Sequence, residues 1–170
     1  MQISEAIRTK RAVRQFQEKV LPESVIFTIL NAGRRSQSSK NTQPWQFIAI
    51  RDKSILKAMS ETGTWAGHLA GAALGVAILI PNPDEKFQTM FDAGQAAAYM
   101  QLAAWELGVG SCLASIYEPD KAREILGFPP EWQVRICISF GYPLEFQVIT
   151  ASPKKGGRKS IEEIAHWDQW

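Results

Sequence analysis

One segment limits the possible folds more than any other. Residues 91–107, from Phe91 to Leu107, are rich in Ala, Met and Leu, and their spacing predicts one long helix that ends at Gly108. This helix is apolar on nearly every side, and such a helix is stable only when it is buried. It must therefore lie in the core of its own subunit or against a second subunit.

Apolar periodicity, together with the Pro and Gly residues that begin and end helices, predicts the remaining elements. In chain order we expect a helix from Ile3 to about Lys10, a helix from Pro22 to Gly33, a strand over 45–50, a helix over 54–60, a strand over 72–80, the long helix, a short strand, a helix from Pro119 to Gly127, a strand over 134–140 and a last helix from Ser160 to about His166. Ser160 and Glu163 form a capping box for the last helix. Residues 152–157 are predicted to form a mobile loop.

The number and order of these elements predict the fold class. Few strands accompany many helices, and the connections are mixed, so we expect an α+β protein with three layers, α/β/α, in which helices flank a mixed sheet. At 170 residues the chain is predicted to form a single domain over residues 1–170.

The charge and the few cysteines and histidines exclude several classes of protein. Nineteen basic and 17 acidic residues give a net charge of +2, so no general field attracts nucleic acid or an anionic membrane. Cys112 and Cys137 lack metal-site spacing and His68 and His166 lie far apart, so we expect no bound metal and predict both histidines to be ordinary surface or helix-end residues. The N-terminus lacks the apolar core of a signal peptide and no apolar run spans a bilayer, which predicts a cytoplasmic protein.

Familiar catalytic motifs are absent. The stretch from Gly108 to Leu113 lacks the third glycine of a dinucleotide fingerprint and follows a helix, whereas that fingerprint follows a strand. The stretch from Gly156 to Ser160 lacks the earlier glycine of a phosphate loop. No local signature indicates a nucleophile with its base. If the protein is an enzyme, a bound cofactor is the economical source of its chemistry.

A basic segment follows the first helix, with four cations among seven residues in Arg8-Thr9-Lys10-Arg11-Ala12-Val13-Arg14. One interpretation is a solvated basic edge. The other is an anion site, because Lys10, Arg11 and Arg14 lie close enough in the chain to converge on a phosphate through charge-assisted hydrogen bonds.

A polar segment precedes the first strand: Ser36-Gln37-Ser38-Ser39-Lys40-Asn41-Thr42-Gln43 leads directly into Pro44-Trp45. It is longer than a plain turn and contains no glycine. It is either a polar surface loop or a loop that offers hydroxyls, amides and backbone N–H groups to the edge of a planar ring system.

Four segments, taken in order, carry a resemblance to a known family: RTKRAVRQF, SSKNTQPW, DAGQAAAYMQLAAWELGVGSC and GRKSIEEIAHWDQW. Together they resemble the FMN-dependent nitroreductase superfamily over nearly the whole chain. The resemblance implies a homodimer that holds two FMN molecules at its interface, each in contact with both chains. It also implies that the long helix packs against its twin across the dimer.

The resemblance assigns roles residue by residue. The contacts to the FMN phosphate and ribityl chain match Lys10, Arg11 and Arg14, with Ala12 in the same segment, and a further phosphate contact matches Arg158. The loop that reaches the flavin of the other subunit matches Gln37, Ser38, Ser39 and Asn41. The backbone that passes the reactive edge of the flavin matches Ala114 and Ser115, within residues 113–116. Three positions depart from the family pattern: Lys10 stands for Arg, Ala12 for Ser and Gln37 for Pro. None of these changes removes a charge from the phosphate site.

The implied activity is transfer of hydride from NADH or NADPH to FMN and then to a small organic acceptor such as a nitroaromatic or a quinone, in ping-pong order, with no catalytic side chain. Two alternatives stay open: a flavin-binding store or sensor with little turnover, and a family branch with other flavin chemistry. The chain between Ile80 and Asp92 is too short for the helical excursion that covers the site in longer members. An open pocket is therefore expected, with Trp65 or Phe87 as aromatic neighbours.

Overall fold

The computed structural model describes residues 2–82, 86–145, 147 and 157–170. These residues contain five helices: α1 (Ile3–Thr9), α2 (Glu23–Arg34), α3 (Lys53–Met59), α4 (Gln88–Glu106) and α5 (Pro119–Leu126). They also contain four strands: β1 (Gln46–Ile50), β2 (Leu74–Pro81), β3 (Gly110–Ser115) and β4 (Trp132–Gly141). Most of the predicted 152–157 loop, residues 152–156, lies outside the described residues.

The sheet forms around β2, whose residues 74–80 are all buried. The strand order is β1-β2-β4-β3, and all three pairings are antiparallel. The α+β class is therefore confirmed, whereas the mixed sheet was wrong. Among the described residues the one parallel pairing is a single bridge between Ala12 and Ser111.

Side chains alternate between the two faces of the sheet and produce two separate cores. Val76 and Ile138 point to the core shared with α2 and α4, whereas Ala77 and Cys137 point to the core shared with α3 and α5. Helices thus cover both faces, which confirms the three-layer arrangement.

The helix α4 is not buried on every side within one chain. Ala96, Met100 and Ala104 are fully buried on the side that faces the sheet and α2. On the opposite side Phe91 and Tyr99 are 71% and 42% exposed. Within a single chain only one side of α4 is therefore buried, although the sequence predicted that its whole apolar surface must be covered.

Gly33 does not end α2, as predicted, but lies inside it. A Cβ on Gly33 would lie 2.1 Å from Met100 Cε and 2.9 Å from Met100 Cγ, so the missing side chain lets α2 approach α4 closely. The chain remains helical at Gly33, and α2 ends at Arg34. Glycine is required at this position by the contact with Met100 and not by a reversal of the chain.

The predicted last helix from Ser160 to His166 does not form. The Ser160 N–H donates to the Glu163 carboxylate at 2.8 Å, as a capping box requires, but residues 161–164 make only a turn. Ile161 and Ile164 are 62% and 59% exposed. Short helices depend on packing for their stability, and no described part of the chain covers these side chains.

The described residues include no helix that is both long enough and apolar enough to cross a membrane. β2 ends at Pro81 and α4 begins at Gln88.

The close contact between α2 and α4 predicts the effect of one substitution. Gly33→Ala forces Met100 out of its buried position and is expected to lower the free energy of unfolding by about 1–3 kcal/mol. Gly67→Ala is the matched control, because nothing lies within 4 Å of a Cβ at Gly67. Urea unfolding of both variants measures the difference, and equal midpoints would contradict the packing argument.

Candidate functional site

The basic segment after α1 runs in extended form beside the first residues of β3. Ala12 bridges Ser111, and the Val13 N–H donates to the Ser111 carbonyl at 3.0 Å. Gly110 allows this approach, since a Cβ there would lie 2.7 Å from the Val13 side chain. The bridge brings the cations of residues 10–14 to one edge of the sheet, close to Cys112.

Three of the predicted phosphate ligands are close enough to influence one another or a shared neighbour. Burial lowers the pKa of Lys10; Cys112 raises it and the nearby Arg158 lowers it further. Burial raises the pKa of the Cys112 thiol, whereas the positive charges of Arg14 and, to a smaller extent, Lys10 lower it. Lys10 and Arg14 therefore lie near Cys112, and Arg158, although far away in sequence, lies near Lys10.

Arg11 differs from its neighbours because it already has partners. Its guanidinium donates to the carbonyls of Arg8, Thr9 and Lys10 at 3.0, 3.1 and 3.2 Å and so caps the C-terminal end of α1. Ala12 is exposed and contributes backbone only. A cavity of about 250 Å³ adjoins this segment and is lined by Arg11, Arg14 and Glu145 among others.

The polar loop before β1 is held in an unusual backbone conformation. Lys40, Asn41 and Gln43 have φ angles of 52°, 56° and 48°, in the left-handed region that residues with side chains seldom adopt. The Gln43 N–H donates to Ser38 Oγ at 2.9 Å. The Ser39 N–H donates to both oxygens of Asp92, at 3.2 and 3.3 Å.

Asp92 anchors this loop from the first turns of α4, where its side chain is only 5% exposed. Ser38 is half-buried and its hydroxyl is engaged within the loop, whereas Gln37, Ser39 and Asn41 are exposed. The side chains of these three residues are therefore available to a ligand.

One chain does not bring the loop and the basic segment together. The loop is anchored at Asp92, whereas the basic segment lies near the other end of α4, where Gln101 Nε2 donates to Ser111 Oγ at 3.2 Å and Trp105 Nε1 donates to Thr9 Oγ1 at 3.0 Å. At ~1.5 Å of rise per helical residue, Asp92 lies ~14 Å from Gln101 and ~20 Å from Trp105 along α4.

The β3 segment predicted to pass the flavin ends in a tightly packed turn. Ala114 is buried and Ser115 is exposed. The Ser115 carbonyl lies against Gly63, where a Cβ would be 2.1 Å from the oxygen. Because the Ile116 N–H donates across the sheet to Arg135 at 2.9 Å and alternate residues face opposite ways, the Ser115 N–H faces the outer edge.

Both predicted aromatic neighbours are exposed. Trp65, at 79%, follows Gly63 and so lies on the loop beside Ser115. Phe87, at 64%, makes an edge-on contact with Phe91 at the start of α4. Their proximity to a flavin stays a prediction.

His68 is the residue of this region that sequence reasoning missed. The prediction of an ordinary surface or helix-end residue was incomplete: His68 lies in the last turn of the short 3₁₀ helix Gly67–Leu69, but it is half-buried and its Nδ1 lies 2.8 Å from Ser139 Oγ. That hydroxyl donates in turn to the Cys112 carbonyl at 3.3 Å. Burial lowers the pKa of His68, the Leu113 carbonyl raises it and Arg14 lowers it. No local pattern indicates a contact that joins residues so far apart in sequence.

Comparisons with known proteins identify the family of the chain. The sequence profile described as the nitroreductase family matches residues 7–62 and 62–142, which include the basic segment, the loop, α4 and β3. A protein of Archaeoglobus fulgidus, provisionally named an NADH dehydrogenase/NAD(P)H nitroreductase, is 32% identical over 144 residues, covering 81% of this chain and 83% of that protein. The chain belongs to the nitroreductase family.

Solved structures extend the similarity to the fold. The FMN-dependent nitroreductase of Clostridium difficile R20291 has a TM-score of 0.82 and 26% identity, over 97% of this chain and 98% of that one. A structure from Parabacteroides distasonis has a TM-score of 0.87 at 22% identity, over 100% and 99% of the two chains, and shows the fold alone. The family is generally flavin-dependent. Arg158 lies beyond the residues that the family profile matches.

The side chains around the basic segment fit a phosphate group. None of the ion pairs within the described residues involves Lys10, Arg14 or Arg158. A half-buried ammonium without a carboxylate partner is costly, and an anion would relieve that cost through charge-assisted hydrogen bonds.

The anchoring of the loop predicts a local effect at Asp92. Asp92→Ala removes both acceptors of the Ser39 N–H, so the strained loop is expected to open and the free energy of unfolding to fall by about 1–2 kcal/mol. Asp92→Asn keeps one acceptor oxygen and should preserve the loop. Hydrogen exchange at residues 38–43 distinguishes the two, and equal protection would contradict the role of Asp92.

The environment of His68 predicts a pH dependence of stability. Because folding lowers the pKa of His68, the unfolded chain binds the proton more readily, and the associated stability is complete above about pH 6.5 and is lost as the pH falls below it. The urea midpoint should therefore decrease from pH 7.5 to pH 5.5, and His68→Gln should make the decrease smaller. His166→Gln, at an exposed position, is the control and should leave the decrease unchanged.

Proposed function

We propose that two copies of this chain bind FMN between them and use NADH or NADPH to reduce a small organic acceptor, such as a nitroaromatic or a quinone. The observation that carries the proposal is a group of cations, Lys10, Arg14 and Arg158, that form no ion pair with the described residues, in a chain of the nitroreductase family. The name of the Clostridium difficile relative, an FMN-dependent nitroreductase, supports the choice of cofactor.

Lys10, Arg14 and Arg158 would hold the FMN phosphate. Burial disfavours the charged form of Lys10, and a phosphate dianion beside it would favour that form again. Arg14 and Arg158 can each offer paired N–H donors to phosphate oxygens. Arg11, whose guanidinium already caps α1, would act chiefly by fixing the end of that helix beside the site.

The separation of the two binding elements supports a homodimer. Within one chain the loop of residues 37–41 and the basic segment lie about 14–20 Å apart along α4. A twofold axis near the middle of an α4 pair would place the loop of each chain beside the basic segment of the other. Exposed apolar side chains on α1 and α4, namely Ile3, Ile7, Phe91 and Tyr99, supply the surface that such a pair would bury.

The chain's own groups would orient the ring system. The exposed Ser39 and Asn41 would reach it from the partner's loop, and the Ser115 N–H, on the outer edge of β3, would donate to a ring nitrogen. The absence of a side chain at Gly63 allows the close approach of the Ser115 carbonyl, since a Cβ there would lie 2.1 Å from that oxygen. Bound FMN would supply two-electron chemistry, taking hydride from the nicotinamide and passing it to the acceptor.

The overall reaction needs no acid or base from the protein. For a nitro acceptor, one hydride and one proton from water convert the nitro group to a nitroso group and release one molecule of water. The donor loses the hydride and becomes oxidised nicotinamide. Donor and acceptor would use the same open face in turn, which gives ping-pong kinetics.

An absorption spectrum of the purified protein tests the proposal. After FMN is added and unbound flavin removed, NADH or NADPH under nitrogen should bleach the flavin band, and a nitroaromatic or quinone should restore it. A protein that retains FMN without bleaching would instead be a flavin store or sensor. Failure to retain FMN would overturn the proposal altogether.

Removal of one cation should weaken flavin binding. Arg14→Ala deletes a charge-assisted contact of about 1.5–3 kcal/mol, so the dissociation constant of FMN should rise about 10- to 100-fold. Lys57→Ala, which removes an exposed cation paired with Glu61 on α3, is the matched control. Fluorescence titration with FMN measures both variants, and an unchanged affinity for Arg14→Ala would count against the phosphate site.

A further inference from the structure

A groove of about 300 Å³ lies between α4 and the β2-β4-β3 part of the sheet. It exists because the side of α4 that faces it carries small residues, Ala93, Gly94, Ala97 and Ala98, which do not reach the sheet. Its size is at the lower end of the range for small-molecule sites, and its lining is mostly apolar, as is usual for such sites.

Arg135, which lies at a β-bulge in β4, also lines this groove. Ile78 pairs with Ile136 and Leu79 pairs with Val134, so Arg135 is an extra residue without a partner in the ladder. In a regular strand Arg135 and Ile136 would point to opposite faces, yet both line the groove. The bulge therefore turns a cation toward an apolar cavity.

Arg135 has no acidic partner within the described part of the chain. Its one side-chain hydrogen bond there is a long contact, 3.4 Å, to Gln133 Oε1. Gln101 is the other strongly polar group of the lining, and its amide nitrogen already donates to Ser111 Oγ. The groove thus combines a mostly apolar lining with one cation that forms no ion pair with the described residues.

The groove also reaches the segment where the proposed chemistry would occur. Leu113, which is 45% exposed, lines the groove and lies two residues before Ser115 in β3. The surface of α4 that would face a second subunit, with Phe91 and Tyr99, is a different side of the helix. The phosphate has its own cations at the start of β3, so Arg135 is not needed there.

We propose that this groove is the acceptor pocket and that Arg135 makes it selective for planar aromatic acceptors that carry a carboxylate. The inference rests on the proposed function, because it concerns the molecule that receives the hydride. The apolar walls would cover the ring of the acceptor, and the guanidinium would form two parallel hydrogen bonds to its carboxylate. Aromatic acids would therefore be reduced in preference to neutral molecules of the same shape.

The test compares two nitroaromatics that differ in charge and little in shape, 4-nitrobenzoate and 4-nitrobenzamide. With the FMN-loaded wild-type protein and saturating donor, kcat/KM should be at least about tenfold higher for the acid. Arg135→Gln should remove this preference by raising KM for the acid, with KM for the amide unchanged. Arg135→Lys, which keeps the charge but not the paired donors, should give an intermediate preference.

A binding measurement without turnover accompanies the kinetics. Benzoate, which cannot be reduced here, should perturb the flavin absorbance of the wild-type protein at lower concentration than benzamide does, and Arg135→Gln should abolish the difference. An equal response of the wild-type protein to acid and amide overturns the inference even if no variant folds. A loss of FMN from Arg135→Gln would show that the groove holds the flavin and would also overturn it.

The outcomes separate this inference from the proposed function. If wild-type protein bleaches with NADH or NADPH but shows no preference for the acid, the acceptor pocket is wrong and the reductase activity stands. If the protein takes up no flavin and benzoate has no effect on its thermal unfolding, both are wrong.

Discussion

The packing of α4 against the sheet and α2 sets the positions of all the candidate binding elements. Its buried side fixes the helix in place, with Met100 filling the space opposite Gly33. From this fixed helix, Asp92 holds the polar loop, Gln101 holds the start of β3, and Trp105 holds the end of α1. A single rigid helix thus determines how far apart the loop and the basic segment lie, and that distance is what makes a second chain necessary for the proposed site.

Local sequence patterns predicted most helices and strands well. They did not predict the features that depend on contacts between distant segments of the chain. Gly127 closes α5 at a φ of 68°, as its position after an apolar stripe predicts. Gly33 carries the same local signal, yet its role depends on Met100 of another helix. The capping box at Ser160 forms its hydrogen bond without a helix, because capping is local but helix stability requires packing.

The candidate site likewise contains some residues that local sequence patterns singled out and others that they did not. The spacing of Lys10 and Arg14 left two interpretations open, a solvated basic edge and an anion site, and the structure brings both residues close to Cys112. His68 and Arg135 carried no comparable signal: one is placed by a hydrogen bond to Ser139 and the other by a bulge in β4. Bulges and buried hydrogen bonds depend on how distant strands pair, and local sequence patterns alone do not reveal that pairing.

Several energetically unfavourable features lie in the same parts of the chain, and this distribution supports a binding site there. Lys40 and Gln43 adopt left-handed backbone angles that cost of order 1–2 kcal/mol each for residues with side chains. Lys10 is half-buried with no carboxylate partner among the described residues. Neither feature stabilises the single chain, whereas a bound anion and a second subunit would compensate for both.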